Sequence, residues 1–155
     1  MKLFILFFIL ELIYSYIPSD AIKYVKKWNG TFNPSYNSYK GSKENQYTNF
    51  VSQALFAAGE SFSGCKGKDR YGMIYRYNDL IYCLGLKGWK NTTKKIPAVK
   101  AGYPISLKGD RVPMISIGFE GNKTNYCGYD DENKCSEMDN SDLIFFYKWL
   151  LINFY

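Results

Sequence analysis

"ENQYTNFVSQALFAAG", residues Glu44 to Gly59, opens on polar residues and closes on an apolar stripe that ends at a glycine. Phe50, Val51, Ala54, Leu55 and Ala58 recur at helical spacing, and Gly59 is a natural C-terminal stop. The pattern predicts a buried helix that starts with Tyr47. A bulky phenol at the head of the most apolar helix in the chain needs an explanation, and the surrounding sequence has to supply it.

Upstream, Ile22, Val25 and Trp28 share one face of a helix over Ala21 to Trp28, with Ser19 or Asp20 as its cap. "NGTFNPSYNSYKGSKEN" between the two helices is rich in Asn, Gly and Ser and reads as loop. Downstream, Ser61 to Asn78 is glycine-rich and irregular, and "NDLIYCLGLKGW" predicts a short helix ending near Gly85 or Gly88. The C-terminal half changes period. Ile115, Ile117 and Phe119 alternate, and Gly121-Asn122 is a hairpin turn into Thr124 to Cys127. The closing run "DLIFFYKWLLINFY" is interrupted by Lys148 and is too short to span a bilayer, so it reads as a last core strand or helix. Helices first and strands second define an α+β class, with N-terminal helices packed on a C-terminal antiparallel sheet. There is no internal repeat and no linker.

A chain of 155 residues supports one domain and one site. Its first 15 residues read as a secretory signal: Lys2, an apolar run from Leu3 broken only at Glu11, and a small residue, Ser15, where a peptidase could cut. Residues 16–155 then form the single mature domain, secreted and without stable membrane insertion. Four cysteines bound for an oxidising compartment favour two disulfides. Cys65 with Cys83 and Cys127 with Cys135 is the expected pairing, since each closes a local loop within one half of the fold. Asn29, Asn91 and Asn122 lie in Asn-X-Thr sequons and are candidate glycosylation sites. The net charge of +6 is spread in small groups such as Lys26-Lys27 and Lys94-Lys95 and reads as a solvated basic surface, with no nucleic-acid partner expected.

"YTNFVSQALFAAG" resembles the signature of the putative amidase domain family, whose helix begins Asp-Cys-Thr-Asn-Phe-Val-Ser-Gln and ends Ala-Gly-Gly. Thr48, Asn49, Phe50, Val51, Ser52, Gln53, Leu55, Ala58 and Gly59 match it. The likeness extends to "AIKYVKKW" and to Asn33 to Tyr36, "NPSY", upstream. It implies a papain-like or NlpC/P60-like cysteine hydrolase fold, in which a helix N-terminus lowers the thiol pKa and a histidine from a later strand takes its proton. The departures fall on that machinery. Gln46 stands at the Asp position, Tyr47 at the Cys position, Met114 or Pro113 where the histidine strand arrives, and Tyr129 at a second histidine position.

The chain contains 0 His, so no Cys-His pair and no His-bearing zinc site can exist anywhere in it. A phenol with an ordinary pKa of about 10 stays protonated at neutral pH and cannot replace a thiolate. Asp130, Asp131 and Glu132 read as a solvated acidic turn, and no metal or cofactor is expected. Tyr47 is therefore read as a plug in a former nucleophile site. The leading expectation is a catalytically inactive amidase-like domain that binds a peptide or cell-wall glycan in the old cleft, with Tyr36, Tyr47, Asn49, Gln53 and Tyr129 as candidate ligand-binding residues. Tyr39 adds a further aromatic face. The alternatives are a secreted structural or host-facing protein with a filled cleft, and an active hydrolase of the same family.

Overall fold

The computed structural model describes residues 16–39, 41–129 and 135–148. Among these residues three α-helices precede a six-stranded antiparallel sheet, so the chain is α+β. Helix α1 is Pro18–Trp28, α2 is Lys43–Ala57 and α3 is Tyr77–Leu86. The strands are β1 Lys90–Thr92, β2 Pro104–Leu107, β3 Pro113–Glu120, β4 Lys123–Cys127, β5 Ser136–Asp139 and β6 Leu143–Tyr147. Their spatial order is β1-β6-β2-β3-β4-β5, so the closing apolar run supplies an inner strand. β1, β2 and β5 carry no sequence signal of their own. They are short, and the two edges bear charged side chains such as Lys90 and Glu137, which discourages pairing with another chain.

Both N-terminal helices begin earlier than their patterns suggest. α1 starts at Pro18, whose fixed φ suits the first helical position, and Ile17 takes the cap position in place of Ser19 or Asp20. α2 starts at Lys43, inside the stretch read as loop, because the Ser42 side chain accepts from the Asn45 N–H at 3.4 Å and caps the helix. Tyr47 consequently occupies the second turn and does not start the helix. α3 ends within a residue or two of the expected glycines.

α2 is the centre of the molecule. Every residue from Thr48 to Leu55 is buried. α1 and α3 pack on α2, and α1 and α2 both lie on β3. On this face Phe50, Val51 and Leu55 meet Ile115, Cys127 and Phe146, while Ile105, Met114, Leu143 and Phe145 form a smaller cluster on the other face with Val99. The expected alternation of Ile115, Ile117 and Phe119 breaks at a bulge. Ser116 pairs with Tyr126 but Gly118 pairs with Asn125, so the extra residue, Ile117, turns Phe119 to the far face beside Phe145.

The disulfides join Cys65 to Cys83 and Cys127 to Cys135, the two local pairs. The first ties the irregular segment after α2 to α3. In the chain-entropy account, a loop of that size contributes roughly 3 kcal/mol.

The start and end of the described chain meet at Glu60. Its carboxylate is 5% exposed and accepts from Trp89 Nε1 at 2.7 Å and from Lys148 Nζ at 2.6 Å. Trp89 also packs edge-on against Tyr16 and Tyr103, and Tyr16 donates its hydroxyl to the Gly102 carbonyl. Burial, with the Glu60 charge second, raises the Tyr16 pKa well above that of a free phenol. Gly102 has φ +89°, and a Cβ there would lie 2.3 Å from the Pro18 carbonyl oxygen, so only glycine allows α1 this close. Removing Lys148 would leave the buried carboxylate with one neutral donor. We expect Lys148→Ala to destabilise the fold by roughly 2 kcal/mol, and Glu60→Gln/Lys148→Met by less, read from the urea midpoints.

Candidate functional site

Helical periodicity divides the expected site residues between two flanks of α2. Gln46, Asn49, Phe50 and Gln53 fall at i, i+3, i+4 and i+7 and share one face, whereas Tyr47 projects about 100° away from Gln46. The two faces look into different spaces.

Tyr47 lines an open groove of about 420 Å³ between the first turns of α2, the β2–β3 hairpin and the end of β4. Leu107 and Val112 form its apolar wall, with Met114 and Tyr126 beneath. Glu44 and Arg111 face each other across the mouth, 3.8 Å apart and both exposed. The floor is set by Gly128. A Cβ at Gly128 would lie 3.2 Å from Met114 Cγ and 3.3 Å from Tyr47 Cε1, so the bare glycine lets β4 run on under both side chains. Tyr47 and Met114 thus converge on one point although 67 residues separate them in sequence. Of the two residues aligned with the histidine strand, Met114 lines the groove and Pro113 does not.

Tyr129 lies on the other flank. Its ring meets Phe50 edge-on at 6.0 Å, beside a void of about 10 Å³ that it shares with Gln46, Asn49 and Gln53. That volume suits one water. Tyr36 meets Tyr71 edge-on, and Asn49 and Gln53 are 2% and 4% exposed. Both amides are engaged in a ladder of side chains. Asn33 Nδ2 donates to the Tyr24 hydroxyl at 3.0 Å, Tyr24 donates to Gln53 Oε1, Gln53 Nε2 donates to Asn49 Oδ1 at 2.5 Å, and Asn49 Nδ2 donates to Asp69 Oδ2 at 3.3 Å. The acidic turn at Asp130, Asp131 and Glu132 lies outside the described residues. Among those residues no three His, Cys, Asp or Glu side chains group to hold a metal ion.

Asp69 is the residue the sequence reading passed over. Oδ2 also accepts from Asn37 Nδ2 and from the Tyr39 hydroxyl, each at 3.2 Å, while Oδ1 accepts from the backbone N–H of Tyr71 at 2.9 Å and of Met73 at 3.0 Å. One carboxylate therefore ties the loop before α2, α2 itself and the 68–74 hairpin together. The signal was present: "DRYG", with Asp first and Gly fourth, is the composition of a β-turn whose Asp side chain bonds its own turn.

The family comparison agrees with this frame. The putative amidase domain family matches residues 15–98, more than half of the chain, and the protein belongs to that family. The match takes in all three helices and β1 and ends before β2, so neither Met114 in the groove nor Tyr129 on the other flank lies in the matched stretch. No curated protein and no solved structure matches the chain.

Burial first, and then the Asp69 charge beside it, push the Tyr39 pKa up to about 12. A folded-state pKa above the unfolded value keeps the proton on the folded chain. The stability linked to it is complete below about pH 10 and is lost between about pH 10 and 12. In Asp69→Asn the charge is gone while burial remains. The Tyr39 ring resonance, identified by its loss in Tyr39→Phe, should therefore titrate below its wild-type pH in Asp69→Asn but still above that of a free tyrosine.

Proposed function

We propose that this protein is a secreted, catalytically inactive member of the amidase-domain family that binds a peptide or cell-wall glycan in the groove at Tyr47, the former active-site cleft of a papain-like or NlpC/P60-like fold. One observation carries the reading. The residues aligned with the family's Cys and His, Tyr47 and Met114, meet over Gly128 at the floor of a groove large enough for a ligand. Neither can act as nucleophile or base, and the chain has 0 His from which a base could be recruited. The volume of the groove argues against a filled cleft and a purely structural role. Apolar walls with two acids, Glu44 and Asp110, and two bases, Lys43 and Arg111, among the lining residues suit a peptide backbone or a sugar ring with polar groups at one end.

Two results would support this reading. Purified protein should show no turnover of soluble peptidoglycan fragments or simple amides, and should bind the fragments with an affinity that falls about tenfold in Tyr47→Ala, a loss of roughly 1.4 kcal/mol. Tyr47→Cys alone should stay inactive, because without an imidazole its thiol remains mostly protonated near pKa 8.5; only Tyr47→Cys/Met114→His could regain activity. Wild-type turnover that survives purification and disappears in Tyr47→Phe would overturn the proposal.

Secretion is part of it. Residues 1–15 lie outside the described residues, but Tyr16 is buried against Trp89 and Tyr103, so a mature chain beginning there would have its first side chain anchored. No helix among the described residues is long and apolar enough to cross a membrane, and the two disulfides are compatible with an extracellular protein. Asn91 and Asn122 are exposed, the Asn122 amide donating to Asp139 Oδ1 at 2.6 Å, and the half-buried Asn29 donates its amide to Cys135 Sγ at 3.5 Å. Expressed through a eukaryotic secretory pathway, the protein should lose mass on glycosidase treatment, and Asn91→Gln/Asn122→Gln should abolish the loss. An unshifted mass that still includes residues 1–15 would refute secretion.

A further inference from the structure

Two tyrosine pairs join the loop before α2 to the 68–74 hairpin, which is pinned by an antiparallel bridge between Lys68 and Ile74. Tyr39 stacks on Tyr75 at 4.9 Å with the rings 9° from parallel, and Tyr36 meets Tyr71 edge-on at 6.2 Å. Each hairpin ring also carries a guanidinium: Arg70 lies 4.8 Å from the centre of Tyr71, and Arg76 lies 5.3 Å from that of Tyr75. Both arginines are exposed, and among the described residues neither forms an ion pair or a side-chain hydrogen bond. Asp69, in the hairpin itself, has both oxygens committed to five donors from these loops and α2.

We propose that this surface is a second binding site, for an acidic polysaccharide whose sulfate or carboxylate groups are gripped by Arg70 and Arg76. A guanidinium laid on an aromatic ring is held in plane with its N–H edge turned to solvent, the geometry that binds an oxyanion through two parallel hydrogen bonds. The platform is rigid before any ligand arrives, since Asp69 fixes Tyr39 and the turn at Tyr71, so little ordering is left to be done on binding. Charge complementarity selects an anion: Lys66, Lys68, Arg70 and Arg76 cluster in sequence here against Asp69 and Asp79. The rings argue for a glycan over a nucleic acid. Tyr39 and Tyr75 are stacked on one another, Arg70 and Arg76 lie over Tyr71 and Tyr75, and Tyr36 meets Tyr71 edge-on, so the four rings do not present a row of parallel free faces for successive bases. Tyr71 is the one exposed large apolar side chain of the patch among the described residues, which leaves nothing aliphatic to enter a membrane. None of these residues lines the groove at Tyr47, so the site is independent of the function proposed there.

The test is calorimetric titration of the intact protein at about 0.15 M salt, where unfocused surface charge is largely screened. The probes are a heparin oligosaccharide for sulfate, polygalacturonate for carboxylate, and uncharged dextran. Binding to heparin or polygalacturonate but not dextran is expected, and whichever probe binds names the anionic group. Arg70→Gln/Arg76→Gln should weaken it about tenfold, and Arg70→Lys/Arg76→Lys several-fold because charge survives but the fork does not. The charge-matched Lys26→Gln/Lys90→Gln should leave it nearly unchanged. Thermal melting of each variant confirms folding, and all four arginine and lysine positions are exposed, so none should shift the midpoint. No binding to either acidic glycan, an equal loss in the lysine control, undiminished binding in the arginine-to-lysine pair, or tighter Arg-dependent binding to oligo(dT) or phosphatidylserine vesicles would overturn the proposal.

Discussion

A helix with no solvent-facing side through its middle constrains everything around it. Eight consecutive residues of α2, Thr48 to Leu55, are buried, and four of them are polar: Thr48, Asn49, Ser52 and Gln53. Apolar neighbours alone cannot accommodate such a helix, because a buried polar group without a partner destabilises by roughly 1–3 kcal/mol. The fold answers with specific partners. Ser52 donates to the Asn49 and Ile74 carbonyls, and Asn49 and Gln53 join the ladder that ends on Asp69. Thr48 Oγ1 is the exception within the helix, buried with no hydrogen-bond partner among the described residues. The loops on either side of α2 are thus ordered by its polar residues as much as the sheet is ordered by its apolar ones.

The same constraint explains why one helix serves two surfaces. Packed on all sides, α2 sends successive residues into different compartments, and the polar stripe Gln46-Asn49-Gln53 is committed to the Asp69 side. Tyr47, one residue on, is left to the side where the β2–β3 hairpin and the end of β4 stand off from the helix and leave the groove. Gly128 fixes how closely that end approaches. The groove and the tyrosine platform are therefore products of a single helix and share no lining residue that could merge them.

Periodicity was enough to read the existence of α2, α1 and α3, the β3–β4 hairpin and the α+β class, since each rests on apolar spacing within one segment. Starts were harder. Pro18 and Ser42 set them through backbone geometry and capping, effects carried by one residue outside the periodic stretch. β1 and β5 exist because β6 and β4 offer them an edge, and nothing local in "KNT" or "SEMD" announces a strand; β2, four residues long, lies between β6 and β3 and is too short a run to show a period of its own. The bulge at Ile117 is likewise a tertiary choice, which moved Phe119 off its expected face. Both cysteine pairs could be read because each is local. At the site, the resemblance singled out Tyr47, Met114 or Pro113, and Tyr129; the fold puts Tyr47 and Met114 on one groove and Tyr129 on the other flank of α2, a division that linear spacing does not give without the helix register. Glu60 and Asp69 were missed for a common reason: a single acid in a stretch without periodicity looks solvated until the fold brings it donors from distant segments, Trp89 and Lys148 to Glu60, and Asn37, Tyr39 and Asn49 to Asp69.

On the proposed reading, the loss of chemistry is spread over backbone as well as side chains. A cysteine hydrolase needs its nucleophile in the first turn, where unpaired N–H groups and the helix field act together, and that field fades within the first turn. In α2 the first turn is occupied by Lys43, Glu44, Asn45 and Gln46, with Ser42 capping it, and Tyr47 follows where backbone N–H groups are bonded within the helix. On that reading the unpaired N–H groups of the α2 N-terminus lie one turn before Tyr47 and not at it. The groove persists beside it, lined on one side by Lys43, Glu44 and Tyr47 of α2 and on the other by the β2–β3 hairpin, Met114, Tyr126 and Gly128. Binding and turnover rest on different parts of the same fold, so one can survive the removal of the other.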